Sequence, residues 1–201
     1  MATQWYELPP KVWFKGHVIP VYRERDSQRK KLYDAERRAL WNNSMVILKK
    51  FDSVRLIQRY VDKLLKEVWF TKRFGKGWQI DVNDGRGRRA ACGWGNTNSK
   101  CGYIKMPVWS RDESVVLHEV AHCLTTSRMA GHGRQYARIF LELVCHKMGS
   151  FEGKALKQAF KDGNVKFSPF KVRPDLKGKS TAGMEKIRQM RLTKAAACGK
   201  L

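Results

Sequence analysis

The sequence predicts an α+β fold, a small antiparallel sheet packed on helices in a single domain with basic extensions at both ends. Three observations predict it. Apolar residues recur at helical spacing in several segments, short strand-like runs crowd between residues 78 and 109, and the excess charge lies mostly outside that middle stretch. With 201 residues, 42% of them hydrophobic and 11% aromatic, the chain can bury one compact core.

The elements follow in order. "KVWFKGHVIPVY" alternates apolar and polar positions and reads as extended, punctuated by Pro20. "RDSQRKKLYDAERRALW" reads as a helix with Asp26 or Ser27 as its N-cap. A second helix follows "FDS", because Val54, Ile57, Val61, Leu64, Leu65 and Val68 fall at helical spacing, with Arg55, Arg59, Lys63 and Lys66 elsewhere around it. "GWQIDVNDGRGRRAACGWG" reads as a strand, a tight turn at "NDGRG" and a second strand, since Asp-Gly favours hairpins. "CGYIKMPVW" is a third strand with Tyr103, Lys105 and Pro107 on one face and Ile104 and Met106 on the other. Pro107 cannot donate to a ladder, so this strand should end there or have an open edge, where an extended peptide could pair.

Ser110 followed by Glu113 forms a capping box, which starts a helix near Arg111. Val115, Val116, Leu117, Val120, Ala121 and Leu124 make that helix apolar around much of its girth, so it should be buried. "MAGHG" breaks the pattern, and a long amphipathic helix runs through "GRQYARIFLELVCHKMG". "FEGKALKQAFKDG" reads as another helix, "NVKFSPFKVRPDLKGKSTAG" as loop, and "MEKIRQMRLTKAA" as a basic terminal helix. The expected organisation is an N-terminal extension (1–24), a domain (25–150) and a basic C-terminal extension (151–201).

The formal charge is +23, from 41 Lys and Arg against 18 Asp and Glu. Residues 1–80 carry 18 basic and 8 acidic residues, 81–150 carry 10 and 6, and 151–201 carry 13 and 4. A near-ordinary centre with basic flanks predicts attraction to nucleic acid or another polyanion. The candidate contacts are Arg55, Arg59, Lys63 and Lys66, and in the C-terminal extension Lys171, Arg173, Lys177 and Lys179. No run of 7–15 apolar residues marks a signal peptide and none of 18 marks a membrane span, so the expected location is cytoplasmic. Five cysteines without a CxxC pair read as reduced thiols, although Cys92 and Cys101 flank "GWGNTNSK" and are close enough in sequence to pair or to help hold a metal.

The chemistry concentrates in "HEVAH", His118 to His122. Residues four apart on a helix project on the same side, about 6 Å apart along the axis, so both imidazoles can meet one ion. Glu119 then stands beside a metal-held water as its proton acceptor, the arrangement that drives zinc hydrolysis. A catalytic zinc takes a third protein ligand and leaves one position open. The spacing HExxHxxGxxH is not met, because Thr125 and Arg128 occupy the required positions. His132 in "GHG" is the best-placed third ligand, at a turn whose glycines let the backbone approach closely. Glu142 on the following helix and His146 are the alternatives. Tyr136, Arg134 and Tyr103 are candidates to stabilise a developing oxyanion.

"HEVAH" together with "GHGRQYARIFLELV" resembles the SprT-like zincins, and "RDSQRKKLYDAE", "DGRGRRAACG" and "PVWSRDESVVLHEVAH" extend the likeness to a set of predicted metallohydrolases of actinobacteria and their phages. It covers roughly residues 25–150. The resemblance implies a zincin-like fold, a Zn²⁺ cofactor held by His118, His122 and His132, Glu119 as the catalytic glutamate, and a protein or peptide substrate. DNA-linked proteolysis in that group implies a nucleoprotein target. Two functions are therefore expected to compete: a zinc metallopeptidase with basic flanks, and a non-enzymatic phage structural or DNA-associated protein whose metal holds the fold together.

Overall fold

The computed structural model describes residues 26–126 and 129–167. The extended segment at 11–22, the terminal basic helix and Lys171, Arg173, Lys177 and Lys179 lie outside the described residues.

The architecture is α+β, with six α-helices and one three-stranded sheet among the described residues. The first helix, α1 (Arg29–Glu36), runs into a π-helical turn at Arg37–Trp41. Helices α2 (Val54–Lys66) and α3 (Val68–Phe74) precede strands β1 (Gln79–Asp84), β2 (Cys92–Asn96) and β3 (Cys101–Met106). A 3-10 turn at Val108–Ser110 leads into α4 (Glu113–Leu124), followed by α5 (Arg134–Lys147) and α6 (Ser150–Asp162). Among the described residues no helix is long and apolar enough to cross a membrane.

The sheet corrects the expected all-antiparallel arrangement. Its order is β1-β3-β2, with β1 parallel to β3 and β2 antiparallel to it. The "NDGRG" turn does form, since Arg88 donates to the Gly85 carbonyl and the Arg86 amide to Asp84 Oδ1. It redirects the chain without closing a hairpin, and β3 fills the place between β1 and β2. The outer edge of β1 is already engaged. Gln58 on α2 accepts from the Val82 amide at 2.6 Å and donates to the Ile80 carbonyl at 2.9 Å. Both edges of β3 are paired, so of the two alternatives for "CGYIKMPVW" the open edge is absent and the other is met: β3 ends at Met106, before Pro107.

Period-two alternation holds on all three strands. Ile80, Val82, Ile104 and Met106 are buried on the inner face, while Trp94 and Tyr103 meet on the outer face with ring centroids 5.9 Å apart. Gly93, Gly95 and Gly102 lie on the inner face against α4. A Cβ at Gly93 would sit 2.3 Å from the Glu119 carbonyl oxygen, and one at Gly95 2.1 Å from that of Cys123. Glycine at these positions lets β2 lie directly on the α4 backbone.

The α4 helix is buried around its girth as its sequence predicts, with Val116, Leu117, Val120 and Ala121 fully enclosed. Its start differs. Asp112 is the N-cap, accepting from the Val115 amide at 3.0 Å, whereas Ser110 donates to the Pro107 carbonyl inside the 3-10 turn. Similarly, neither Asp26 nor Ser27 caps α1; Gln28 occupies the N-cap position without a side-chain cap. Helix α2 is capped by Ser53, but Val68 belongs to α3 and is exposed. Helix α6 packs on α1 and α5 through Leu156, Ala159 and Phe160, so residues 150–162 join the core that the sequence reading ended at 150.

Candidate metal centre

Helix α4 projects His118 and His122 from successive turns, and the turn before α5 brings His132 to the same point. The candidate ligand atoms of the three histidines all lie within 4.8 Å of one another. Their ring centroids are 4.7 to 5.5 Å apart. His118 and His132 are buried; His122 is partly exposed and borders a small cleft lined also by Gly93, Trp94, Gly95, Thr125 and Gly131.

Two carboxylates from the first helical region orient two of these rings. Glu36 Oε2 meets His118 Nδ1 at 3.0 Å, and Asp26 Oδ2 meets His132 Nδ1 at 2.7 Å. A carboxylate on Nδ1 fixes the tautomer and leaves Nε2 as the donor to an ion. His132 Nε2 is buried and has no hydrogen-bond partner. A buried polar atom without a partner is costly, and a metal ion at this point would supply one. The residues fit a divalent ion that accepts imidazole nitrogen.

Three further contacts fix the same geometry. Gln28, itself buried, donates to the His132 carbonyl at 2.9 Å and exchanges two hydrogen bonds with the backbone of Lys166. Tyr33 stacks on His118 at 5.4 Å with an interplanar angle of 9°, and lies 4.9 Å from the His132 ring. Tyr136 lies 4.4 to 5.2 Å from all three rings and donates its hydroxyl to the His118 carbonyl at 3.3 Å. It is fully buried, and burial holds its hydroxyl protonated. Tyr136 therefore supports the ligands from below, and its hydroxyl is already committed.

Glu119 is enclosed beside the histidines. Burial pushes its pKa up to about 7, the positive field of His118 opposing and the charge of Glu36 adding to the rise; the Gly93 amide donates to its carboxylate. Its Oε2 has no partner. Burial lowers the pKa of His118, yet the Glu36 carboxylate outweighs that and raises it overall; for His132 burial prevails over Asp26 and lowers it.

The remaining candidates separate from the site. Glu142 pairs with Arg73 at 2.7 Å and with Arg138, and His146 bonds Glu67 through Nε2 while stacking on Trp69 at 4.1 Å. Neither joins the cluster of His118, His122 and His132. Tyr103 lies on the outer face of the sheet, away from α4. Arg134 opens α5 half-buried, and none of the hydrogen bonds around the histidines involves it. Arg55, Arg59, Lys63 and Lys66 form an exposed stripe on α2, without ion pairs among the described residues. Cys92 and Cys101 are free thiols at opposite ends of the β2–β3 ladder, opposite Lys105 and Asn96 respectively. That separation, about 13 Å along the strand, is too great for a disulfide.

Sequence reasoning missed Glu36, Tyr33 and Gln28, and read Asp26 as a cap. Glu36 did carry a signal. It interrupts the stripe formed by Leu32, Ala35, Ala39 and Leu40, all buried, and a carboxylate within such a stripe needs a buried partner.

No family model matches the chain, and neither a curated protein nor a solved structure is detectably similar to it.

Proposed function

We propose that the protein is a zinc-dependent hydrolase of the zincin type, resembling the SprT-like group, that cleaves peptide bonds. The observation that carries this reading is the pair of enclosed, unpartnered atoms, His132 Nε2 and Glu119 Oε2, beside the converging histidines. A purely structural ion would account for the first but give no use to the second.

His118, His122 and His132 would hold the ion, which when bound polarises a carbonyl and makes a coordinated water more acidic. Glu119 is suited to take a proton at Oε2 and return it to the leaving amine, because that oxygen is enclosed beside the histidines with no other partner. Glu36 and Asp26 hold the imidazoles in the ligating tautomer.

A peptide substrate fits the outer edge of β2, which pairs with no strand among the described residues. This edge faces away from β3 and borders the cleft at His122, so an extended chain pairing there would set a carbonyl beside the ligands. The basic stripe on α2 and the overall charge of +23 favour a target bound to, or carrying, a polyanion such as nucleic acid.

The test is metal analysis of the purified chain together with peptide cleavage by the native protein and by Glu119→Gln. The expected result is about one zinc per chain in both and hydrolysis only in the native protein. Undiminished hydrolysis by the variant, or zinc retention without any cleavage, would overturn the reading.

A further inference from the structure

The wall of the site formed by α1 carries one group that holding the metal does not use. Arg29 and Tyr33 are one helical turn apart and point to the same side. The Arg29 guanidinium lies 5.6 Å from the Tyr33 ring centroid, and that ring stacks in turn on His118. A guanidinium, a phenol and an imidazole thus form a continuous stack leading outward from the candidate metal centre. Arg29 is exposed, so the outer end of this stack is open to solvent.

No carboxylate neutralises it within ion-pair distance among the described residues. The two nearby acids are engaged elsewhere, Asp26 with His132 and Glu36 with His118. Guanidinium presents a planar fork that matches a carboxylate with two parallel hydrogen bonds. Tyr33 adds a hydroxyl and an apolar ring face between that fork and the ligands.

The geometry points to an anion subsite at Arg29 and Tyr33 that selects peptide substrates carrying a carboxylate close to the reacting carbonyl. This inference rests on the hydrolase reading and names its substrate class.

The experiment uses the zinc-loaded full chain and alkyl hydroxamates, which bind an accessible zinc directly, in a series of increasing length, each ending in a carboxylate or in its methyl ester. Binding is read by calorimetry. In the native protein one chain length should bind about threefold to tenfold more tightly as the acid than as the ester, the range of a partly exposed charged hydrogen bond. Arg29→Gln should abolish that preference and Arg29→Glu reverse it, with zinc content and ester affinity unchanged. Hydroxamates of an aspartyl residue and of a free chain end then distinguish an internal acidic side chain from a C-terminal carboxylate. Equal affinities for acid and ester in the native protein, or a preference that survives Arg29→Glu, would overturn the subsite alone. Failure of every hydroxamate to bind the zinc-loaded chain would overturn the hydrolase reading and the subsite with it.

Discussion

Two regions of this molecule bring histidine against glutamate, and they do opposite things with the pair. At the candidate metal centre, His118 gives Nδ1 to buried Glu36 and keeps Nε2 for the point it shares with His122 and His132. At the α3–α5 contact, His146 gives Nε2 to Glu67, stacks on Trp69, and shares its carboxylate with Lys147 at 2.7 Å. Both arrangements satisfy an imidazole. Only the first leaves a nitrogen converging with others in an enclosed space. The side-chain types are alike, so the difference between a ligand and a strut lies in which nitrogen is committed.

The sharpest way to break this comparison is to remove the rings. His118→Ala or His132→Ala should lose stoichiometric zinc, while His146→Ala keeps it, as metal analysis after dialysis would show. Chelation should accordingly lower the melting temperature of the native protein and of His146→Ala, and leave His118→Ala unmoved, because bound metal stabilises only a chain that holds it. Equal zinc loss from all three variants would erase the distinction.

Removing the carboxylates is the next step down. Glu36→Gln should weaken zinc binding by about 10- to 100-fold, the usual cost of losing a partner that orients a ligand, whereas Glu67→Gln should leave it unchanged. Competition against a chromogenic chelator measures both.

Backbone packing separates the regions again. Gly93→Ala forces a Cβ to 2.3 Å from the Glu119 carbonyl oxygen, a backbone atom that cannot move alone. It should cost about 1–3 kcal/mol or more in a denaturant midpoint and depress zinc affinity. Gly153→Ala, beside His146's neighbour Cys145, meets first a thiol at 2.2 Å on an exposed residue. That side chain can rotate, so the cost should be smaller and zinc affinity intact.

The smallest effect belongs to Glu67→Gln and stability. Partial burial raises the Glu67 pKa, but Lys147 and His146 more than reverse this, leaving it below its ordinary value. A carboxyl depressed on folding contributes stability above its unfolded pKa and loses it as pH falls through the folded one. The gap between native protein and variant should therefore be about 0.2–1 kcal/mol at neutral pH and vanish in acid.

How much of this was legible in the sequence follows from the range of each interaction. The α4 helix, its burial and the pairing of His118 with His122 depend on spacing within a few turns, and the sequence states them directly. His132 was readable because a glycine-flanked turn returns the chain to the helix it has just left. The sheet order was not readable, since inserting β3 between β1 and β2 depends on the fit of Gly93 and Gly95 to α4 and on Gln58 engaging the edge of β1. Nor were the caps of α1 and α4, although the start of α2 after "FDS" was. Asp26 has the composition of a cap but is used on His132, and Ser110 is used inside the 3-10 turn.

The reach of those long-range contacts has a consequence for how the protein is made. Asp26 and His132 are 106 residues apart, and Gln28 joins His132 to Lys166 across 138. Contacts of such separation form late, after the loops between them close. A chain emerging from the ribosome displays HEVAH well before residue 166 exists, and until then Gln28 lacks the second backbone that steadies it. The histidine cluster is in that sense finished late in synthesis, because Gln28, which holds the His132 carbonyl, is itself held only once residue 166 has been made.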